Sequence, residues 1–220
     1  MGKEINAKAA LTLSDTTGIG EAVDSIRSLL DDAGLTYQGT ANPENFDKPH
    51  LIVPMLDAQT NKVTAVCCLL ISTRMENGDA DSINIAKILN RQRDSLMAAG
   101  LHENVRIVEI ACLPNLSADR HALHHLNQVP DYTLYKEDFE EFQTDPSLFA
   151  AKLEKCVVKD AEKLAERCPF LKQPEGIDKD DLNTILDDYY QSEISLAGKG
   201  GEQNVNDMQS LLNSSENSAA

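Results

Sequence analysis

Apolar residues recur along this chain with two different periods, and the places where the period changes mark out its elements. Ile19, Ala22, Val23, Ile26, Leu29, Leu30 and Ala33 fall on one face of a 3.6-residue repeat, which predicts a helix. Gly34 stands where a left-handed C-cap closes such a helix. The short run Ala9–Leu13, passing into Ser14-Asp15-Thr16-Thr17-Gly18, reads as a strand that feeds it. Two runs rich in apolar and β-branched residues, His50–Leu56 and Lys62–Thr73, flank Asp57-Ala58-Gln59-Thr60-Asn61, the pattern of a β-hairpin. The second run is apolar at nearly every position from Val63 to Ile71. A strand of that kind is covered on both faces, so helices are expected on both sides of the sheet.

A helical pattern from Ser82 to Ala99 carries Ile85, Ala86, Leu89, Leu96 and Met97 behind the capping candidates Asp79, Asp81 and Ser82, and Gly100 closes it. Asn104–Leu113 is another strongly β run. Strand, helix and strand in that succession form a βαβ crossover, which makes these two strands parallel and the sheet mixed. Beyond Pro114 the pattern turns helical, first over Ser117–Gln128, then over Lys136–Gln143, then from Pro146 to about Arg167. The last of these aligns Phe149, Leu153, Cys156, Val157, Ala161 and Leu164 in one stripe, with Asp145 able to cap it and Pro169 stopping it. A further helix from Asp178 to about Tyr190 sets Leu182, Ile185, Leu186 and Tyr189 on one face, with Asp178 and Asp181 spaced as a capping pair.

The expected fold is α/β, α+β-like, with a mixed sheet containing one β-hairpin and one βαβ crossover, helices on both faces, a helical C-terminal region and a disordered tail. Residues 1–130 read as the mixed α/β core domain, 131–192 as a helical extension packed on it, and 193–220 as the tail. From about Glu193 the chain is dominated by Gly, Ser, Asn, Glu and Ala, which bury too little apolar area to offset the entropy of ordering. Within that tail Val205, Met208, Leu211 and Leu212 keep helical spacing, as a peptide docking in a partner groove would.

Charge narrows the partners. Asp and Glu number 36 against 20 Lys and Arg, a formal net charge of -16 that opposes polyphosphate backbones and anionic membranes. Nucleic acid is therefore an unlikely partner; an acidic surface of this kind serves first to solvate the protein, and it also suits a basic protein surface or, more narrowly, imitation of nucleic acid. Aromatic residues make up only 5% and Trp is absent, so the core must be mostly aliphatic. The five cysteines, Cys67, Cys68, Cys112, Cys156 and Cys168, are odd in number and lack C-x-x-C spacing, which fits free thiols in a reducing, cytoplasmic compartment. The longest apolar run, Val63–Ile71, is about half of the ~20 residues a membrane span needs, and the N-terminus lacks the apolar region of an export signal.

Four constellations could carry chemistry. His121 and His125 lie four apart on one helix face with His124 beside them, so two imidazoles could share a metal. The spacing resembles that of zinc-protease helices, but Ala122 stands where H-E-x-x-H needs its catalytic Glu, which excludes that reaction in its usual form. Asp15, Thr17, Gly18 and Gly20 sit at a strand-to-helix junction whose free N–H groups would attract phosphate. There the stretch Gly18-Ile19-Gly20-Glu21-Ala22 resembles the end of the glycine-rich loop of short-chain dehydrogenases. The first glycine of that loop is missing, however, and no Tyr-x-x-x-Lys pair follows, so the resemblance is local.

Acidic clusters occur at Glu137, Asp138, Glu140, Glu141 and Asp145, and again at Asp178, Asp180, Asp181, Asp187 and Asp188. The second begins like a calcium loop, but Leu182, Asn183 and Tyr189 occupy positions that need an oxygen ligand, a glycine and a bidentate Glu. Both read as solvated helix faces and caps. Cys67 and Cys68 lie in the most apolar strand, where a thiol is poorly reactive.

No cofactor is favoured by any motif. The expected function is a non-enzymatic protein-binding or assembly protein, an adaptor, chaperone, inhibitor or subunit of a larger particle, acting through acidic helices and a flexible C-terminal tail on a protein partner or on itself. The alternatives are a metal- or nucleotide-dependent enzyme using the Asp15–Glu21 loop or the His121/His125 helix, and an acidic nucleic-acid mimic.

Overall fold

The computed structural model describes residues 18–73, 78–101, 104–118 and 132–191. Contacts divide the chain into two units, Met1–Lys179 and Asp180–Ala220. The first unit opens on helix α1, Ile19–Asp32, whose buried side is the apolar face of the sequence: Ile19, Ala22, Val23, Ile26, Leu29 and Leu30. Its end is a Schellman closure. The Leu35 N–H donates to the Leu30 carbonyl at 2.9 Å and the Gly34 N–H to that of Asp31 at 3.0 Å. Gly34 holds φ 72°, the left-handed conformation such a closure requires.

Five strands form one sheet in the order β1-β2-β3-β4-β5. They are β1, Gln38–Gly39; β2, Leu51–Leu56; β3, Val63–Ile71; β4, Arg106–Leu113; and β5, Thr133–Tyr135. β1/β2 and β2/β3 pair antiparallel, whereas β3/β4 and β4/β5 pair parallel, so the sheet is mixed. The β2–β3 hairpin turns on Asp57, whose Oδ1 accepts from the N–H groups of Gln59 at 3.0 Å and Thr60 at 2.8 Å and from the Thr60 hydroxyl at 2.9 Å. A short Asp side chain substituting for backbone in this way is the mechanism of an Asx turn. The parallel β3–β4 pair is joined through helix α2, Gly78–Leu96, and a π-helical turn, Met97–Leu101, in which Gly100 takes φ 105°. This is the expected crossover.

Helices cover both faces of the sheet. On one side Val53, Leu69, Val108 and Ile110 join α1, helix α3, Lys136–Thr144, and helix α4, Ser147–Arg167, in a single apolar cluster. On the other side Leu70, Ala111 and Leu113 meet Ile85 and Leu89 of α2. Adjacent residues of one strand, Leu69 and Leu70, thus point into different cores, as the pleat dictates. The aliphatic core contains one aromatic knot, where α3 turns into α4. Phe142 and Phe149 stack at 4.7 Å with ring planes 8° apart, and Phe139 meets each of them edge-on. Asp145, the predicted cap, accepts from the Ser147 N–H at 3.1 Å.

Two strands are absent from the sequence expectation, β1 and β5. Each is two or three residues long and carries too few positions to show a period. β1 is instead enforced by packing: a Cβ at Gly39 would collide with the His50 carbonyl and the Leu51 side chain, so only glycine lets these backbones pair. Helix α5, residues 179–191, begins at the last residue of the first unit and makes up the described part of the second, with Leu182, Leu186 and Tyr189 buried and Ile185 half-buried. The predicted strand Ala9–Leu13 and the tail from Glu193 lie outside the described residues; of the predicted helix Ser117–Gln128, Ala118 begins a helix and the remainder also lies outside them.

Candidate functional site

Of the residues singled out by sequence, Gly18 and Gly20 lie in the described part. Gly18 is the extended N-cap of α1, with no side-chain bond at the cap, and Gly20 is the second residue of the helix. A Cβ at either would meet nothing within 4 Å, so packing does not require glycine there. Asp15, Thr17, His121, His125, Val205, Met208, Leu211 and Leu212 lie outside the described residues. No group of three His, Cys, Asp or Glu that could hold a metal occurs among the described residues.

The structure adds one histidine, His50, which by sequence is simply the first residue of a strand. His50 is fully buried. Its Nδ1 accepts from the Ile71 N–H at 2.9 Å, and its Nε2 lies 3.0 Å from the Pro43 carbonyl, to which it must therefore donate. Phe46 packs edge-on against the ring at 5.0 Å. The segment carrying Phe46 is in turn held by α2, through Gln92 Nε2 to the Phe46 carbonyl at 2.9 Å and an Arg91–Asp47 ion pair at 2.8 Å. Both ring nitrogens are thus engaged by backbone, and burial lowers the imidazole pKa to about 4. A neutral ring with no lone pair to spare is a structural pin between the 40–50 segment and the end of β3, not a proton carrier.

The thiols divide sharply by environment. Cys67, Cys68, Cys112 and Cys156 are buried, and burial raises the pKa of each, whereas Cys168 is exposed. Only the thiolate is nucleophilic. Native protein treated briefly with a maleimide is expected to gain one adduct, at Cys168, and five after unfolding; intact-mass spectrometry followed by peptide mapping reads both numbers.

Acidic side chains crowd the outer face of α3. Glu137 accepts from the Ser117 hydroxyl and from the Ala118 N–H at 3.2 Å, bonds that hold its carboxyl below the usual range. Asp138 faces inward and is paired with Lys152 of α4 at 2.5 Å, while also accepting from the Tyr135 N–H at 2.9 Å. Glu140, Glu141 and Asp145 remain exposed, and with Glu137, Thr144 and Leu148 they line an open groove of about 400 Å³. Leu148, 41% exposed, is the apolar element of this groove.

The opposite end of α4 presents an apolar projection. Phe170 is 98% exposed and Leu171 57%. They sit in a tight turn in which the Leu171 N–H donates to the Cys168 carbonyl at 3.0 Å, with Pro169 presetting the second position. The turn is bolted at both ends. Upstream, the Cys168 N–H closes α4 on the Leu164 carbonyl at 2.8 Å. Downstream, Arg106 of β4 holds Gln173 at 2.7 Å and lies 3.5 Å from Asp160 of α4, so one guanidinium ties the segment to the helix that precedes it. Then the Gly176 N–H donates to Asn104 at 2.9 Å, and Val63 and Ile177 exchange both backbone bonds at 2.9 and 3.0 Å. Gly176 takes φ 76° and fits between Lys62, Val63 and Thr64.

An exposed Phe on a floppy terminus means little, because single surface apolar residues are common. A Phe-Leu pair held outward by an ordered, multiply anchored turn forgoes roughly 1.5–3 kcal/mol per side chain that burial would supply. In the sequence this segment showed only as the proline that ends a helix. Comparisons with protein-family models, with curated proteins and with solved structures find no match to this chain.

Proposed function

We propose that this chain is a non-enzymatic protein-binding or assembly protein of the cytoplasm, and that its binding anchor is the turn carrying Phe170 and Leu171. The observation that carries the reading is the 98% exposure of Phe170 on a turn fixed from both sides. Aromatic residues dominate interface energetics when they enter a partner's pocket, and an anchor already ordered in the free protein loses little entropy on docking. The acidic faces of α3 and α5 supply charge that steers a partner and sets salt dependence rather than raw affinity. Four buried thiols and an unpaired exposed one support a reducing compartment.

The test compares the full chain with a Phe170→Asp/Leu171→Asp double variant as immobilised baits in extract of the source cell. Both side chains are exposed, so the variant should unfold at the same denaturant midpoint as the parent. Proteins retained by the parent and lost by the variant are the expected result; identical retention by both would sink the reading.

A further inference from the structure

The projection at one end of α4 and the groove at the other are complementary. Arg167 and Lys172 flank the Phe170–Leu171 turn, both exposed and without an ion pair among the described residues. The groove offers the converse: an apolar contact, Leu148, rimmed by Glu137, Glu140, Glu141 and Asp145. Glu140 reaches Lys136 only at 3.9 Å with both side chains half or more exposed, and Glu141 has no side-chain partner among the described residues. The cation in the last turn of α4, Arg167, is held there favourably by the helix dipole, while the rim carboxylates of the groove belong to α3 and to Asp145, just ahead of α4.

A single chain cannot satisfy this match. The 21 residues of α4 rise about 30 Å between groove and turn, so the turn cannot fold back into its own groove. We infer that the occupant of the groove is the Phe170–Leu171 turn of a second copy of this chain, in a head-to-tail contact with Arg167 and Lys172 among the rim carboxylates. Such a contact uses different patches on the two copies, so it propagates into open chains or closes into a ring rather than stopping at a two-fold dimer. The net charge of -16 opposes close approach of copies, and salt screens that long-range repulsion while leaving the desolvated apolar contact intact. This inference rests on the protein-binding reading and names the partner.

Sedimentation velocity of the full chain over a concentration series at about physiological salt tests it. The wild type should form species larger than a dimer as concentration rises. Phe170→Asp, which keeps the groove, and Glu141→Lys, which keeps the turn, should each weaken association at least about tenfold. Both positions are exposed, so folding is not at stake, and matched denaturant midpoints confirm that. Mixed together, the two variants should form a 1:1 dimer and nothing larger, because one intact turn and one intact groove remain between them. A wild type that stays monomeric, association indifferent to either substitution, or a mixture without dimer would overturn the inference. A monomer that still retains another protein through Phe170 would leave the protein-binding reading standing.

Discussion

Phe149→Ala is expected to lower the unfolding free energy by about 3–5 kcal/mol, the range for deleting a buried ring from a core that cannot collapse around the gap. Phe149 is fully buried, stacks on Phe142 at 4.7 Å and receives the edge of Phe139 at 6.2 Å. Its loss would remove transfer free energy and two aromatic contacts at once, and would open a cavity at the joint where α3 turns into α4. Asp138 and Lys152 bridge the same two helices, so partial closure of the cavity is resisted by a bonded pair. Phe170→Ala is the internal control. The same substitution at a side chain 98% exposed should change stability by no more than about 0.5 kcal/mol. Urea unfolding of the three proteins gives the comparison directly, and equal midpoints for the parent and Phe149→Ala would show that the aromatic knot does not hold the helices.

Stability should also fall in mildly acidic solution, before most carboxylates titrate, because of His50. The unfolded histidine titrates near pH 6.5, and the folded one near pH 4. Below pH 6.5 the unfolded chain therefore binds a proton that the native chain refuses, and stability decreases as pH falls. The stabilisation is fully present above pH 6.5 and is lost through the window down to about pH 4, amounting to about 2 kcal/mol between pH 7 and pH 5. His50→Leu should lose about 2–4 kcal/mol at pH 7, because the Ile71 N–H and the Pro43 carbonyl are left buried without partners. The variant should also show a flatter stability profile between pH 7 and pH 5. Unchanged slopes in parent and variant would mean that the native imidazole takes up its proton at the same pH as the unfolded one.

The regular part of this architecture was legible in the sequence because it follows from repeated local choices. The face of α1, its Gly34 closure, the β2–β3 hairpin and the crossover to β4 each involve many residues in period, and each is present where the pattern places it. What was not legible depends on single residues acting at long range. β1 exists because Gly39 lets two backbones approach, and β5 because three residues extend a sheet already formed. His50 looks like any strand residue until Ile71, 21 positions away, is brought to its Nδ1.

The proposed interaction site follows the same rule. The sequence marked the glycine-rich loop, the histidine helix and the tail, whose patterns are conspicuous, and passed over Phe170 and Leu171, which no local pattern distinguishes from core residues. Burial of one Phe and exposure of another at the two ends of α4 is settled by packing alone.

The order of the strands across the sheet is their order along the chain. Every strand-to-strand ladder among the described residues therefore joins neighbours in sequence, and the Val63–Ile177 bridge is added to a sheet that these ladders have already built. Loop closure costs grow only slowly with length and are smallest here for the hairpin, so β2–β3 is the natural nucleus, with β4 and then β5 added in turn. A sheet assembled in this way adds each strand to one already in place. It also suits synthesis from the N-terminus, since each new strand leaving the ribosome finds its template already made.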